Sequence, residues 1–216
     1  AIIDPTYTFS VSKKQTASGL SDIMSHIIES YFFKNKSAYV IDRLAEGLLK
    51  TCIKYGPVAL EECDNYEARA NLCWASSLAI DGTLKVGKGV LWSVHGIEHT
   101  VSAYYDIPHG MGLAVLTPHW MEYVLNEETL DNFVTYGINV WDIDANLPKE
   151  KIADIAIEAT RNFFISIGMP SKLSEFGIGE EHIDDMAVKA FGKDGLKGGF
   201  VDLSVEDVRR ILLNSL

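Results

Sequence analysis

Apolar residues recur at three- and four-residue steps along most of this 216-residue chain and almost nowhere alternate. That period belongs to helices that bury one face. Leu20, Ile23, Met24, Ile27, Ile28, Tyr31 and Phe32 mark a helix within Lys13 to Phe33. Val40, Leu44, Leu48, Cys52 and Ile53 mark a second over residues 40–53. The Ala-, Leu- and Cys-rich stretch from Glu67 to Ile80 has few charges and reads as a central helix packed on several sides. Pro108 and Gly110 precede a helical stretch through Leu113, Leu116 and Met121, which Pro118 is expected to kink or restart. Lys149 to Ile167 should be helical up to a Gly168 C-cap ahead of Pro170. Ser204 and Asp207 have capping-box spacing and should open a last helix through Ile211 and Leu213.

Only Thr6 to Val11 and Thr83 to Val90 offer weak strand patterns, and Asn146 to Glu150 reads as a loop between two helical blocks. The expectation is an all-α, helical bundle-like domain over residues 1–216, with one continuous core and no repeat. Ala1 to Ile3, stopped by Asp4-Pro5, read as the end of a buried strand, so the chain is expected to be a fragment of something longer.

Composition removes several classes. A hydrophobic content of 47% with 23% charged residues is that of a globular domain, not a disordered one. A net charge of -11 offers no basic surface for nucleic acid. No apolar run reaches the roughly 18 residues of a membrane span. Three cysteines (Cys52, Cys63, Cys73) without CxxC spacing suit a reducing, cytoplasmic setting better than a disulfide framework. Cys73, inside the Ala-rich helix, is expected to be an inert buried thiol.

The chemistry collects in the histidines. His95, His99 and His109 fall within fifteen residues, flanked by Gly96 and Gly110, where the backbone can come close to a neighbour. Asp22 and His26 are four apart on the first helix, hence on one face at the edge of its apolar stripe. An ordinary Asp–His helix pair would look the same. Taken together, Asp22, His26, His95 and His109 form a one-carboxylate, three-imidazole set. Such donors suit divalent Zn, Fe, Co or Ni rather than Ca or Mg, and each ligating His needs an acceptor for its other ring nitrogen. A rival pattern overlaps them. His95-Gly-Ile-Glu98-His99 matches the H-x-x-E-H zinc-hydrolase motif with Glu98 as base, although Gly96 is a poor residue for the helix interior that motif requires. A non-catalytic helical module with incidental histidines is the third reading. Tyr104-Tyr105 could line a pocket or simply pack. Lys193 to Lys197 reads as solvated loop, and no G-x-G-x-x-G or P-loop occurs.

Asp22-Ile-Met-Ser-His26-Ile-Ile-Glu29, His95-Gly-Ile-Glu-His99 and Ile107-Pro-His109-Gly110 together resemble the iron-containing (group III) alcohol dehydrogenase family, most closely its butanol dehydrogenase branch. The likeness covers nearly the whole chain. It implies the C-terminal helical half of a two-domain, dehydroquinate synthase-like enzyme, with an N-terminal α/β NAD(P)-binding half outside this chain. It implies Asp22, His26, His95 and His109 as metal ligands, and His99 as a nearby histidine placed for proton relay or nicotinamide contact. The implied cofactors are a divalent metal (Fe2+ before Zn2+) and NAD or NADP. The implied partners are an alcohol or aldehyde substrate and the cofactor-binding half. Relatives are commonly dimers or larger, so a homo-oligomer fits as well. Since metal and nicotinamide must meet across a cleft, neither half should be catalytically sufficient.

Overall fold

The computed structural model describes residues 1–34 and 37–216. Its helices are α1 (Lys13–Tyr31), α2 (Tyr39–Glu61), α3 (Tyr66–Ile80), α4 (Ser93–Tyr105), α5 (His109–Val124), α6 (Leu130–Trp141), α7 (Lys149–Ser166), α8 (Ile183–Phe191) and α9 (Val205–Asn214). The all-α expectation holds: among the described residues there is no strand, only an isolated antiparallel bridge between Leu196 and Leu203. The two weak strand patterns fail for local reasons. Asp4 caps a 3-10 turn over Pro5–Thr8, its side chain accepting the Thr6 N–H. Thr83–Lys85 form another such turn, followed by Gly87 and Gly89 at positive φ. Ala1 to Ile3 lie outside any strand, with Ile2 98% exposed, so the buried-strand reading of this end is not met.

Burial assigns the centre of the domain to a different helix from the one expected. α5 buries residues on every side, from Gly110 through Leu113, Leu116 and Trp120 to Val124, and packs against α1, α4, α7 and α9. It runs through Pro118 unbroken. α3 lies at the edge instead, with Trp74 61% exposed, packed on α1 and α2 along one face. Cys73 on that helix is only partly buried, whereas Cys52 on α2 is fully buried and its thiol is pushed up to about 12 by burial.

α4, α6 and α8 were not expected. α6 buries Phe133, Tyr136, Gly137 and Val140, a helical period that the sequence does carry. α4 carries weak helix formers, and Gly96 sits inside it because the Phe191 ring of α8 occupies the space a Cβ would need. The loop ahead of α7 joins direct neighbours, α6 and α7, rather than separate blocks. The caps read from sequence are present. Ser204 and Asp207 exchange side-chain and backbone hydrogen bonds at α9, and Gly168 ends α7 at φ +85. Among the described residues no helix is long and apolar enough to cross a membrane.

Two features position the histidines. α4 ends with Asp106 in the left-handed region, its N–H donating to the Ser102 carbonyl, a conformation that Asp tolerates better than most residues. Ile107 and Pro108 then turn the chain so that α5 begins at His109. Gly110 allows α5 to meet α1, since a Cβ there would fall on the Ser18 carbonyl oxygen. Gly110→Ala is therefore expected to cost about 1–3 kcal/mol through overpacking against backbone, read by urea unfolding. A change below about 0.5 kcal/mol, the scatter of ordinary surface substitutions, would contradict this account of the contact.

Candidate metal centre

α1, α4 and the first residue of α5 bring four predicted residues to one place. Asp22 Oδ1 lies 3.4 Å from His26 Nε2, 3.4 Å from His95 Nε2 and 3.7 Å from His109 Nε2. Asp22, His95 and His109 each offer a donor atom within 4.8 Å of the other two. His26 joins through Asp22 and through its ring, whose centroid is 4.2 Å from that of His95. The indole of Trp92 stands edge-on to both rings, at 4.9 Å and 5.1 Å.

These spacings fit an ion. Donors about 2.1 Å from a tetrahedral metal are separated from one another by about 3.4 Å. They are too long for good hydrogen bonds, and Asp22 Oδ1 and His95 Nε2 are buried atoms without a hydrogen-bond partner. Buried polar atoms are rarely left so, and a one-carboxylate, three-imidazole donor set suits a divalent transition metal.

The far side of two rings is anchored. His95 Nδ1 donates to Glu29 Oε2, and His109 Nδ1 donates to Glu98 Oε2. Both tautomers turn Nε2 toward Asp22. Glu29 also accepts the Val94 N–H at 2.5 Å and the His95 N–H at 3.3 Å, closing the N-terminus of α4. His26 Nδ1 has no such partner.

The electrostatics follow from this crowding. At Asp22, burial works against the carboxylate, but His95 and the charges of His26 and His109 outweigh it, and its pKa falls below the usual range. Burial and the neighbouring His95 lower His26 to about 4. His95 is also penalised by burial, yet Asp22 and Glu29 raise it to about 9. His99 is exposed and stacks on His109 with centroids 5.1 Å apart, beside the centre rather than in it.

Residues 16–216 match the model of the Fe-containing alcohol dehydrogenase family, C-terminal. The chain belongs to that family. It is 56% identical over its whole length to NADH-dependent butanol dehydrogenase A of Clostridium acetobutylicum and 54% identical to butanol dehydrogenase B of the same organism. It covers 56% of each, so it spans about half the length of these relatives. Among solved structures it is similar to NADH-dependent butanol dehydrogenase A from Thermotoga maritima (38% identity, TM-score 0.89, 99% of this chain and 55% of the other). It is also similar to the substrate- and cofactor-free aldehyde reductase YqhD from E. coli (32% identity, TM-score 0.91, 98% and 56%).

Within this family fold the hydrolase pattern loses its base. Glu98 is fully buried, with Oε2 on His109 and Oε1 accepting from the Ser102 hydroxyl. Gly112 leaves it room, for a Cβ there would stand 2.5 Å from Oε1. Glu98, His99 and His109 do lie within 4.8 Å of one another, but the hydrogen bonds just described already use both Glu98 oxygens. His119, near Glu122, and His182, whose ring lies tilted against Tyr104 and Tyr105, pair with other groups. The sequence reading did not single out Glu29 and Glu98 as ring anchors. The available signal was a carboxylate three residues after each of His26 and His95, on the same helix face.

The two shifted histidines act in opposite pH windows. His95 holds its extra proton in the folded chain between 6.5 and about 9, so its contribution is complete below 6.5 and is lost as pH rises through about 9. His26 excludes a proton between about 4 and 6.5, so its contribution is present above 6.5 and is lost as pH falls toward 4. Thermal unfolding in excess chelator is expected to give a Tm that falls from pH 6.5 to 9, with a shallower slope in His95→Gln. Equal slopes in the two proteins would rule out His95 as the source.

Proposed function

We propose that this chain is the metal-holding half of an NAD(P)-dependent alcohol dehydrogenase acting on a primary alcohol such as butanol and its aldehyde. The observation that carries the reading is the convergence of three imidazole Nε2 atoms on one carboxylate oxygen. Asp22, His26, His95 and His109 would hold a divalent ion, Fe2+ in preference to Zn2+. Such an ion polarises an alcohol or carbonyl oxygen as a Lewis acid.

The protein's own part is orientation and proton handling. Asp22 and His109 are each about one-third exposed, so the group opens at the surface of the helical domain and not within its core. His95, buried behind them, fixes the depth of the site. His99 lies on the exposed side against His109, within reach of solvent, and is the residue suited to carry the substrate's proton outward. Hydride would pass to a nicotinamide held by a cofactor-binding half, as the names of the 56% and 54% identical relatives suggest. An open site of this kind needs that second half to exclude water.

Loading with Fe2+ under anaerobic conditions, or with Zn2+, is expected to give about one ion per chain by elemental analysis. His95→Ala and His109→Ala should each lose it. Full metal in both variants would sink the ligand assignment. Fused to the N-terminal part of the 56% identical butanol dehydrogenase, the chain should oxidise butanol with NAD+. His99→Ala in that fusion is expected to lower kcat by about 10²-fold or more, the usual contribution of a positioned proton-transfer group, without loss of the ion.

A further inference from the structure

The geometry assigns to Glu29 and Glu98 the role of positioning residues, buried carboxylates that hold His95 and His109 as Nε2 donors and so set the ion affinity of the centre. The inference rests on the metal-site reading above and extends it to two residues that would not touch the ion.

Three observations support it. Both carboxylates are almost completely buried, Glu29 at 2% and Glu98 at 0% exposure, in a domain whose other acidic side chains mostly face water. A buried carboxylate is costly unless its oxygens are matched by donors. At both residues the match includes an imidazole Nδ1. The protein also makes space for one of them, since Gly112 on α5 is the only residue type that leaves the Glu98 carboxylate unobstructed.

The chemistry is specific to ligation. An imidazole whose Nδ1–H is held by a carboxylate keeps its lone pair on Nε2 and becomes a stronger donor. Without the acceptor, the ring is free to take the other tautomer or to rotate about χ2. His26 shows the contrast, since its Nδ1 meets no partner, while its ring lies against Trp92 and His95 and its Nε2 faces Asp22. The two carboxylates differ in what else they hold. Glu29 also closes the N-terminus of α4 through Val94 and His95, so removing it should disturb the helix as well as the ring. Glu98 has only the Ser102 hydroxyl besides His109, which makes it the cleaner test.

Co2+ binding by the whole chain, followed by chelator competition and by the visible d–d absorption, separates the outcomes. Glu98→Gln keeps the shape and an acceptor oxygen but removes the charge, and Glu98→Ala removes both. Affinity is expected to fall about 10-fold in the first and nearer 100-fold in the second, with shifted Co2+ bands and one ion still bound at saturation. The metal-free Tm should fall in Glu98→Ala, which leaves the Ser102 and His109 donors without their acceptor, and less in Glu98→Gln. Glu29→Gln should weaken binding similarly while also lowering that Tm. Wild-type affinity and bands in Glu98→Gln and Glu98→Ala would overturn the inference and leave the metal site standing. Weaker binding with wild-type bands would also overturn it, because a general loosening does not change ligand geometry. Loss of the ion at saturating Co2+ would make Glu98 a ligand and overturn it too. If the wild-type chain takes up no Co2+, Fe2+ or Zn2+, the metal-site reading itself fails.

Discussion

The Glu29 carboxylate accepts backbone N–H groups from the first turn of α4, and that buried contact decides where α4 stands relative to α1. The remaining geometry follows. With α4 held there, His95 faces Asp22 and His26 across the α1–α4 seam. The turn at Asp106–Pro108 then delivers His109 to the same point from the start of α5. The Glu29 carboxylate is tolerated at this buried seam only because both its oxygens find donors. The same requirement makes the contact discriminating, since a register shift of one residue would leave the carboxylate unpaired.

The domain is organised to keep this seam fixed while its outer surface stays open. α5 is buried on all sides and carries His109 at its first residue, so the exposed end of the site is attached to a helix embedded in the core. On the other side of α1, Tyr31, Arg43 and Asn139 all donate to Glu46, tying α1, α2 and α6 together. Lys88, almost fully buried, joins the C-terminal carbonyl of α1 to Asp42 on α2. The C-terminal end of the helix that bears Asp22 and His26 is thus clamped by satisfied polar networks, which favours side chains held to a fraction of an ångström.

Much of this was legible in the residues. The period of three and four gave the helical class and the edges of α1, α7 and α9, because an amphipathic helix must repeat its apolar face. α2 begins where expected but runs past the marked stretch to Glu61, through Pro57. Asp22 and His26 could be placed together because four residues span one turn. What failed were features that depend on neighbours. α4 could not be recognised from Ser93, Gly96 and Thr100, all modest or poor helix formers, because its stability comes from packing on α8 and from the Glu29 cap. α3 could not be distinguished from a central helix, because an Ala- and Leu-rich stretch says nothing about how many partners will cover it. Gly96 and Gly110 do permit close approach, but to Phe191 and to the Ser18 backbone, not to a ligand.

The sequence by itself determined which donors the protein possesses, their local pairing on helices, and their resemblance to one enzyme family. Side-chain chemistry and helical spacing are properties of the chain alone. Only the tertiary structure decided that residues some seventy positions apart share an oxygen-to-nitrogen distance of 3.4 Å, and that Glu29 and Glu98 stand behind the rings. It also decided that His119 and His182 stay outside the group. Those outcomes depend on which helix faces can be buried together without stranding a charge, and no local pattern carries that information.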